Sequence, residues 1–297
     1  MSAMTSSPNG TQAETRSSRS PPRSPEGEAI LSLRGVTVGY PDRIVQQQLS
    51  FEVRRGSVFA IMGGSGAGKS TVLSSLIGLT EPQGGVMSFA GQNYWMLPVR
   101  ERERIGRRFG VLFQSGALWS SLTVGQNVAL PMQMFTTLDK RTMRRLVELK
   151  LALVGLEDAS DLMPAQLSGG MAKRAGLARA LALDPEVLFL DEPSAGLDPM
   201  AARRLDDLIL DLRDALGATI IVVSHDLLSL FAIADDGVFL DANTRSAIAH
   251  GSAAKLRDES EDPRVQAFMR REYPGSSGVH PSPYLTDKLW QAHGSPR

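Results

Sequence analysis

The sequence predicts an α/β fold built around a parallel core sheet. Three short runs, residues 57–62, 187–190 and 219–223, consist almost entirely of apolar residues, as strands buried on both faces of a parallel sheet do. Between the second and third runs, residues 201–216 place leucine and isoleucine at helical spacing. Strands that alternate with helices in this way are typical of a parallel α/β sheet.

The chain before this sheet begins with a polar segment and continues with two alternating strands. Residues 1–27 are mostly Ser, Thr, Pro, Gly and Arg, a composition that cannot offset the entropy of ordering, so we expect a disordered tail. An organelle transit peptide is the alternative, but Glu14, Glu26 and the lack of an amphipathic stripe argue against it. Residues 30–38 and 49–53 alternate apolar with polar or small residues, which predicts N-terminal antiparallel strands.

Helical periodicity marks two further regions. Residues from about 115 to 183 lack strand runs, so we expect a helical subdomain inserted between two strands of the sheet. A C-terminal helix is predicted over 257–273, with Val265, Phe268 and Met269 on one face. These limits assign residues 28–256 to one domain.

Composition excludes several classes of function. Hydrophobic residues make up 42% of the 297 and charged residues 22%, as in soluble globular chains. The absence of cysteine excludes disulfides, a cysteine nucleophile and thiolate metal sites. Lys+Arg and Asp+Glu number 32 each, so there is no basic excess for nucleic acid. No apolar run approaches the roughly 18 residues of a membrane span, and no signal-peptide core is evident. We therefore expect a cytosolic chain whose membrane contacts run through another chain.

Residues 63–70 match G-x-x-x-x-G-K-[ST], the phosphate-binding loop of nucleotide-binding proteins. Its glycines let the backbone curl so that N–H groups face phosphate oxygens, while Lys69 reaches the β and γ phosphates and Ser70 ligates Mg²⁺. A helix predicted from Lys69 to Leu79 would place the phosphates at its N-terminus. We expect ATP and Mg²⁺ to be bound here by Gly63, Gly64, Ser65, Gly66, Ala67, Gly68, Lys69, Ser70 and Thr71.

Two carboxylates end the apolar run at 187–190. At the edge of a parallel sheet beside the phosphate loop, Asp191 would hold Mg²⁺ through water and Glu192 would polarise the attacking water. An acidic pair alone is equally consistent with a solvated strand end, and its pairing with the phosphate loop favours hydrolysis.

The motifs then resemble those of the ATP-binding-cassette (ABC) ATPases over roughly residues 29–256. Residues 167–171, Leu-Ser-Gly-Gly-Met, resemble the signature motif, and residues 195–198 resemble the D-loop. The resemblance implies that Ser168, Gly169, Gly170 and Asp198 contact ATP and that Tyr40 stacks on adenine. It implies that Gln114 contacts Mg²⁺ and the attacking water, and that His225 contacts the γ-phosphate. Each residue alone has an ordinary structural explanation, but their order along the chain matches the family.

The signature departs from the usual family pattern, because Met171 stands where glutamine is usual. This variant, together with residues 113–118 and 249–252, resembles the ATPase subunits of Mla/MCE-type phospholipid transporters. That branch implies a membrane permease, an MCE-domain protein and a small STAS-domain protein as partners, and a place on the cytoplasmic face of the inner membrane. ABC transporters of other substrates, and ABC ATPases of translation or DNA repair, are the alternatives.

The resemblance also implies a dimer. In the family each signature faces the phosphate loop of a second subunit, and this chain has one of each. We therefore expect a head-to-tail homodimer with two composite sites. Contact with the permease is expected in the apolar, methionine-containing segment 117–135, where we expect two or three apolar side chains to be exposed.

The last segment, residues 274–297, is rich in Pro and Gly and too polar to form a core of its own. It nevertheless ends in an apolar cluster of Tyr284, Leu285, Leu289 and Trp290. We expect an extended tail whose apolar cluster docks as an anchor, either on its own chain or, as we favour, on the second subunit. A tail that is merely disordered is the alternative.

Overall fold

Two β-sheets and nine α-helices account for residues 27–270, which are the residues that the computed structural model describes. The strands are β1 Ala29–Tyr40, β2 Arg43–Arg54, β3 Val58–Gly63, β4 Gly84–Phe89, β5 Gln92–Asn93, β6 Phe109–Leu112, β7 Val187–Asp191, β8 Thr219–Val223, β9 Asp236–Asp241 and β10 Ser246–His250. The helices are α1 Lys69–Leu76, α2 Val99–Gly106, α3 Val124–Phe135, α4 Lys140–Leu153, α5 Gly169–Ala180, α6 Pro199–Leu216, α7 Leu227–Ile233, α8 Ala253–Glu259 and α9 Pro263–Arg270.

The larger sheet has the order β10-β9-β3-β8-β7-β6, and its strands are parallel except for β10. The smaller sheet, β2-β1-β4-β5, is antiparallel and includes the two N-terminal strands. The predicted fold class, an α/β fold with a parallel core sheet, N-terminal antiparallel strands and a helical part, is therefore confirmed.

The core lies on both faces of the larger sheet. Along β3, every residue is buried. Val58, Ala60 and Met62 pack on the side of the helices that include α3 and α6. Phe59 and Ile61 pack on the other side, with α1 and the antiparallel sheet. A continuous apolar run is therefore needed here, because each alternate side chain meets a different layer.

The helix after the phosphate loop is shorter than predicted. It begins at Lys69 as expected but ends at Leu76 rather than Leu79. Gly78 adopts a φ of 81°, which ends the helical backbone, and the Tyr94 side chain leaves no room for a Cβ at this position.

The helical segment between β6 and β7 contains α3, α4 and α5. Local sequence signals begin all three helices. Thr123 and Gln126 form a capping box at α3, Asp139 accepts two backbone N–H bonds at α4, and Ser168 accepts one at α5.

Two helices replace the single helix predicted over 257–273. The chain becomes extended at Ser260, after α8, and α9 begins at Pro263 because proline suits the first turn of a helix. The expected apolar face is present: Val265 and Met269 are buried, and Phe268 packs edge-on against Phe239. Positions 271–273, the N-terminal tail up to residue 26 and the predicted anchor at 274–297 lie outside the described residues.

No helix within residues 27–270 is both long and apolar enough to cross a membrane. The same residues contain no cluster of three or more His, Cys, Asp or Glu side chains arranged to hold a metal ion.

Candidate active site

Four neighbouring parallel strands bring the predicted hydrolytic residues to one edge of the larger sheet. The strands lie in the order β3, β8, β7 and β6, and their carboxyl ends share this edge. The phosphate loop follows β3 and His225 follows β8. Asp191 ends β7, Glu192 follows it, and Gln114 lies two residues beyond β6. Segments that are far apart in the sequence therefore converge where α/β sheets bind their ligands.

The phosphate loop turns through residues in the left-handed region. Gly66 and Gly68 have φ values of 76° and 79°, and a Cβ at Gly68 would collide with the Val45 side chain. Only glycine takes this path without strain. The loop delivers the chain to the N-terminus of α1, where unpaired N–H groups favour an anion. Ser70 is exposed on the first turn of this helix, and Thr71 is half-buried.

Lys69 is folded back onto the loop. Its ammonium donates hydrogen bonds of 3.0 Å to the carbonyl oxygens of Gly63 and Gly64. Burial lowers the pKa of Lys69, while the negative charges of Glu192 and Asp191 raise it. The charge that would meet the phosphates is therefore already placed between the loop and the two carboxylates.

The side chain of Gln46 holds the phosphate loop by a hydrogen bond to its backbone. It is fully buried, and its amide donates to the carbonyl oxygens of Ala67, at 2.8 Å, and Asp241, at 3.0 Å. The loop is thereby tied to β9 through a residue of β2. Nothing in the local sequence pattern marks Gln46, because it lies 21 residues before the loop position that it holds.

Asp191 carries an unsatisfied oxygen. Its Oδ1 is buried and has no hydrogen-bond partner among the described residues. Burial, reinforced by the adjacent Glu192, raises the pKa of Asp191, whereas Lys69 and Lys173 lower it. A buried carboxylate oxygen without a partner is costly unless a cation meets it. The carboxylate of Asp191 and the hydroxyl of Ser70 are hard oxygen donors of the kind that Mg²⁺ takes, so the residues present suit that ion.

Glu192 is held in an uncommon backbone conformation. Its φ is 48°, its N–H donates to the Val223 carbonyl at 2.8 Å, and its carbonyl accepts from the Ala195 N–H at 3.2 Å. Its carboxylate oxygen Oε1 lies 2.7 Å from Nδ1 of His225. Glu192 is almost buried, whereas the His225 side chain is 63% exposed and free to meet a ligand from the solvent side.

Lys173 reaches the same place from the other direction. It lies on α5, is buried, and donates a 2.7 Å hydrogen bond to the carbonyl oxygen of Glu192. Burial lowers the pKa of Lys173, and the charges of Glu192 and Asp191 raise it. No sequence motif gives Lys173 a role, because its partner Glu192 lies 19 residues further along the chain.

The remaining site residues occupy two exposed positions and one separate groove. Tyr40 is 59% exposed at the end of β1, with its carbonyl accepting from the Gln83 side chain, and Gln114 is exposed beyond β6. Ser168 and Asp198 are N-caps of α5 and α6, and the Asp198 carboxylate accepts from the N–H groups of Met200 and Ala201.

Those two caps lie in one groove. Ser168, Gly169, Gly170 and Asp198 line a depression of about 460 Å³, and none of the described residues of the phosphate loop lines it. Within one chain, the predicted signature and D-loop residues are therefore brought together, but away from the phosphate loop.

Comparison with known proteins identifies the family. The sequence profile described as ABC transporter matches residues 46–195. The chain belongs to the ABC transporter family. The predicted resemblance is thereby confirmed, and the phosphate loop, with the carboxylate pair near it, belongs to an ATP-hydrolysing cassette of this family.

Curated relatives cover most of the chain. The Haemophilus influenzae intermembrane phospholipid transport system ATP-binding protein MlaF is 40% identical over 83% of this chain and 92% of its own length. The Escherichia coli K12 protein of the same name is 41% identical over 81% of this chain and 88% of its own length. A probable ribonucleotide transport ATP-binding protein, mkl, from Mycobacterium leprae is 35% identical over 86% of this chain and 73% of its own.

Solved structures agree on the fold. The ABC ATPase cbiO1 from Clostridium perfringens, described as part of the transporter complex cbiONQ, superposes with a TM-score of 0.70 at 27% identity, over 82% of this chain and 92% of that one. A dimeric ATP-binding cassette in a post-hydrolysis state, bound to ADP and Pi, gives a TM-score of 0.68 at 27% identity, over 75% and 98%.

Proposed function

We propose that this ABC ATPase drives phospholipid transport through a separate membrane permease, as the ATP-hydrolysing subunit of a bacterial transporter. The observation that carries the substrate assignment is the 40% identity to a phospholipid transport ATP-binding protein, which extends over nearly the whole of that relative. The variant signature with Met171, which resembles the same branch, also supports the assignment.

Different residues of the chain would bind the phosphates, hold Mg²⁺ and activate the attacking water. The phosphate loop, residues 63–71, and the N-terminus of α1 would bind the phosphates, with Lys69 exchanging its two loop carbonyls for phosphate oxygens. Ser70 and Asp191, with Gln114, would hold Mg²⁺, which when bound neutralises charge on the phosphates. Glu192 would accept the proton of the attacking water. His225, whose Nδ1 lies 2.7 Å from the Glu192 carboxylate, would contact the γ-phosphate.

The site is proposed to be completed by a second copy. Ser168, Gly169 and Gly170 lie in a groove that the phosphate loop of the same chain does not line. For the signature and a phosphate loop to bind the same ATP, the phosphate loop must therefore come from a second subunit. The cassette bound to ADP and Pi, similar in fold, is dimeric and supports a dimer here. The head-to-tail arrangement follows from the separation of the signature groove and the phosphate loop within one chain. Asp198, whose carboxylate caps α6, would act in this interface through its position rather than as a free carboxylate. Tyr40 is exposed and would stack on adenine, as the family resemblance implies.

An apolar groove offers a site for the permease. It has a volume of about 780 Å³, and the large, exposed apolar side chains that line it are Phe113, Trp119, Met134 and Phe135. Three large side chains of segment 117–135 are exposed, at 60% for Trp119, 64% for Met134 and 44% for Phe135. Exposed aromatic and methionine side chains in a concave surface suit an amphipathic helix of a partner.

Buried polar groups hold this groove in shape. Asn127 is fully buried. Its side-chain oxygen Oδ1 accepts from the backbone N–H of Trp119 at 2.7 Å, and its side-chain Nδ2 donates to the backbone carbonyls of Trp119 and Leu122 at 3.1 Å. Arg179 of α5 donates to the carbonyls of Gly116 and Ala117. The loop that presents Trp119 is therefore rigid before any partner binds, which lowers the entropy lost on docking.

The fuller assembly is part of the same proposal. The resemblance to Mla/MCE-type transporters supports an MCE-domain protein and a small STAS-domain protein as additional partners, with phospholipid handled by the partners rather than by this chain. The complex would hold the chain on the cytoplasmic face of the inner membrane through the permease.

Purifying the native complex in mild detergent tests the substrate. We expect a membrane-spanning chain and bound phospholipid to co-elute, and the complex reconstituted in vesicles to move a headgroup-labelled phospholipid only with ATP. The 35% identity to a probable ribonucleotide transport protein makes ribonucleotide uptake the second candidate. ATP-driven ribonucleotide movement without phospholipid movement would favour it.

Exchanging Trp119 and Met134 for serine tests the docking groove. The double variant should leave the membrane fraction while still binding ATP, because neither residue belongs to the phosphate loop. Leu216→Ser, which removes an exposed apolar side chain at the end of α6, is the matched control and should remain with membranes. Full membrane retention of the double variant would contradict this assignment of the groove.

A further inference from the structure

The conformation of Glu192 requires support from its surroundings. A φ of 48° places a residue with a β-carbon in the left-handed region, which such residues adopt only where neighbouring groups hold them. A small change of this backbone would swing the carboxylate, because the side chain leaves from the strained Cα. The orientation of the proposed base is therefore set by whatever fixes its peptide groups.

Three hydrogen bonds fix those groups, and two of them come from the immediate surroundings. The Glu192 N–H donates to Val223 at the end of β8, and the Glu192 carbonyl accepts from Ala195 three residues later. The third donor is the ammonium of Lys173, 2.7 Å from the same carbonyl and the shorter of its two contacts. It arrives from a different element, the helix α5.

The burial of Lys173 calls for an explanation beyond packing. The residue is 6% exposed in the midst of the protein, where removing an ammonium from water costs free energy that an apolar side chain of similar length would not incur. Its hydrogen bond to Glu192 and its proximity to two carboxylates offset that cost. A methionine would fill the same space but would leave the Glu192 carbonyl with the weaker contact alone.

We propose that Lys173 is a positioning residue, through which the signature helix α5 holds Glu192 in the orientation needed for hydrolysis. The inference rests on the proposed role of Glu192 as the base. Ser168, the N-cap of the same helix, is proposed to face the ATP of the second subunit. The helix α5 therefore connects a residue that would contact the partner's ATP with the residue that orients the base of its own site.

The test compares Lys173→Met with Lys150→Met in the full-length chain. Lys150 is the matched control, because it is also a buried lysine of the helical segment, but its partner is Asp184, away from the site. We expect Lys173→Met to bind ATP within about 2-fold of the wild type and to lose about 10-fold or more in kcat, because misplacing a reacting group affects the chemical step rather than binding. Lys150→Met should keep both values, at some cost in thermal stability.

Each other outcome overturns the proposal. Lys173→Met with a kcat within 2-fold of the wild type shows that the base is oriented without it. Loss of folding or of ATP affinity together with kcat, or an equal loss in Lys150→Met, shows that the buried lysine has a general structural role. Glu192→Gln, assayed in parallel, distinguishes failure of the Lys173 proposal from failure of the proposed base. Normal turnover in Glu192→Gln would refute Glu192 as the base, and Lys173 would then have no base to position.

Discussion

Nδ1 of His225 lies 2.7 Å from Oε1 of Glu192, so two residues that follow adjacent strands form one polar pair at the sheet edge. A carboxylate that is to act as a base has no proton to donate, so in the proposed role Nδ1 of His225 donates and Glu192 accepts. The other ring nitrogen then points away from Glu192, toward the exposed side of the site. This hydrogen bond thus joins the proposed base, Glu192, to His225, the residue expected to contact the γ-phosphate.

The first prediction concerns this base. Glu192→Gln keeps the size of the side chain and its ability to accept a hydrogen bond from His225, but it cannot take up a proton. We expect a turnover lower by about 10²-fold or more with ATP binding preserved, measured as phosphate release and as nucleotide titration. Glu148→Gln on the exposed face of α4 is the control and should behave as the wild type. Near-normal phosphate release from Glu192→Gln would assign the base to another residue.

The second prediction tests whether the site is shared between subunits. A Lys69→Ala chain loses the phosphate-binding charge, and a Ser168→Arg chain loses the signature contact. If the signature acts in trans, a mixed dimer retains one intact site, whereas each homodimer has two damaged sites. Equal mixing should restore about a quarter of the wild-type rate, since half of the dimers are mixed and each has one of two sites.

A matched mixture controls for exchange and stability. Lys69→Ala combined with the Lys69→Ala/Ser168→Arg double variant has no intact site in any dimer and should stay inactive. Recovery in this control, or no recovery in the first mixture despite demonstrated subunit exchange, is incompatible with the composite site. Lys69→Ala alone should also bind ATP more weakly, and an unchanged affinity would argue against the phosphate-loop assignment.

The third prediction concerns Gln46, which holds the phosphate loop. Gln46→Leu removes the amide that binds the Ala67 and Asp241 carbonyls, leaving two buried acceptors with one partner fewer. We expect a loss of about 1–3 kcal/mol in the free energy of unfolding and a weaker affinity for ATP. Gln47→Leu, one residue along and exposed, is the control for denaturant unfolding and nucleotide titration. Equal affinities in the two variants would mean that the loop keeps its shape without Gln46.

The sequence made most of this site predictable because each motif combines a local pattern with a strand end. The buried runs at β3, β7 and β8 each led directly to the phosphate loop, to Asp191 and Glu192, and to His225. Parallel pairing then brings those ends together without further information. The same reasoning failed at contacts between long side chains and distant backbone, such as Lys173 with Glu192 and Gln46 with Ala67. Those contacts depend on how helix and strand are placed in three dimensions, which no periodicity records.

The end of α1 and the exposed apolar residues of segment 117–135 illustrate the same limit. Gly78 is a local signal for the early end of α1, because glycine commonly ends a helix. The Tyr94 side chain that lies against Gly78 comes from another part of the chain, and no local pattern predicts that contact. The number of exposed apolar residues in segment 117–135 was also underestimated by the sequence: Ala117 is exposed besides the three large side chains, four in all. Helical spacing indicates which face is apolar, but only the packing of neighbours decides which apolar residues remain uncovered.

The fourth prediction follows from a buried acid on α6. Asp206 is 4% exposed, its Oδ2 accepts from the Ser229 hydroxyl at 2.9 Å, and its Oδ1 has no hydrogen-bond partner among the described residues. Burial raises the pKa of Asp206 from 3.8 to about 6, with the nearby Asp226 adding to the rise and the Ser229 hydrogen bond opposing it. The charged form is therefore disfavoured in the folded chain.

The sign of the resulting pH dependence follows from linkage. Above about pH 6 the acid is ionised in both states, and the folded state bears the full cost of the buried charge. As the pH falls from about 6 toward 3.8, the folded chain takes up a proton that the unfolded chain does not, and the cost is relieved.

Asp206→Asn, which is neutral at every pH and keeps an acceptor for Ser229, should therefore raise the free energy of unfolding at pH 8 by about 1–3 kcal/mol. The gain should be smaller at pH 5 by about 1 kcal/mol. Urea unfolding of both proteins at the two pH values measures this, with Asp158→Asn at an exposed position as the control. A gain that is the same at pH 8 and pH 5 would show that the substitution acts through packing and not through the buried charge.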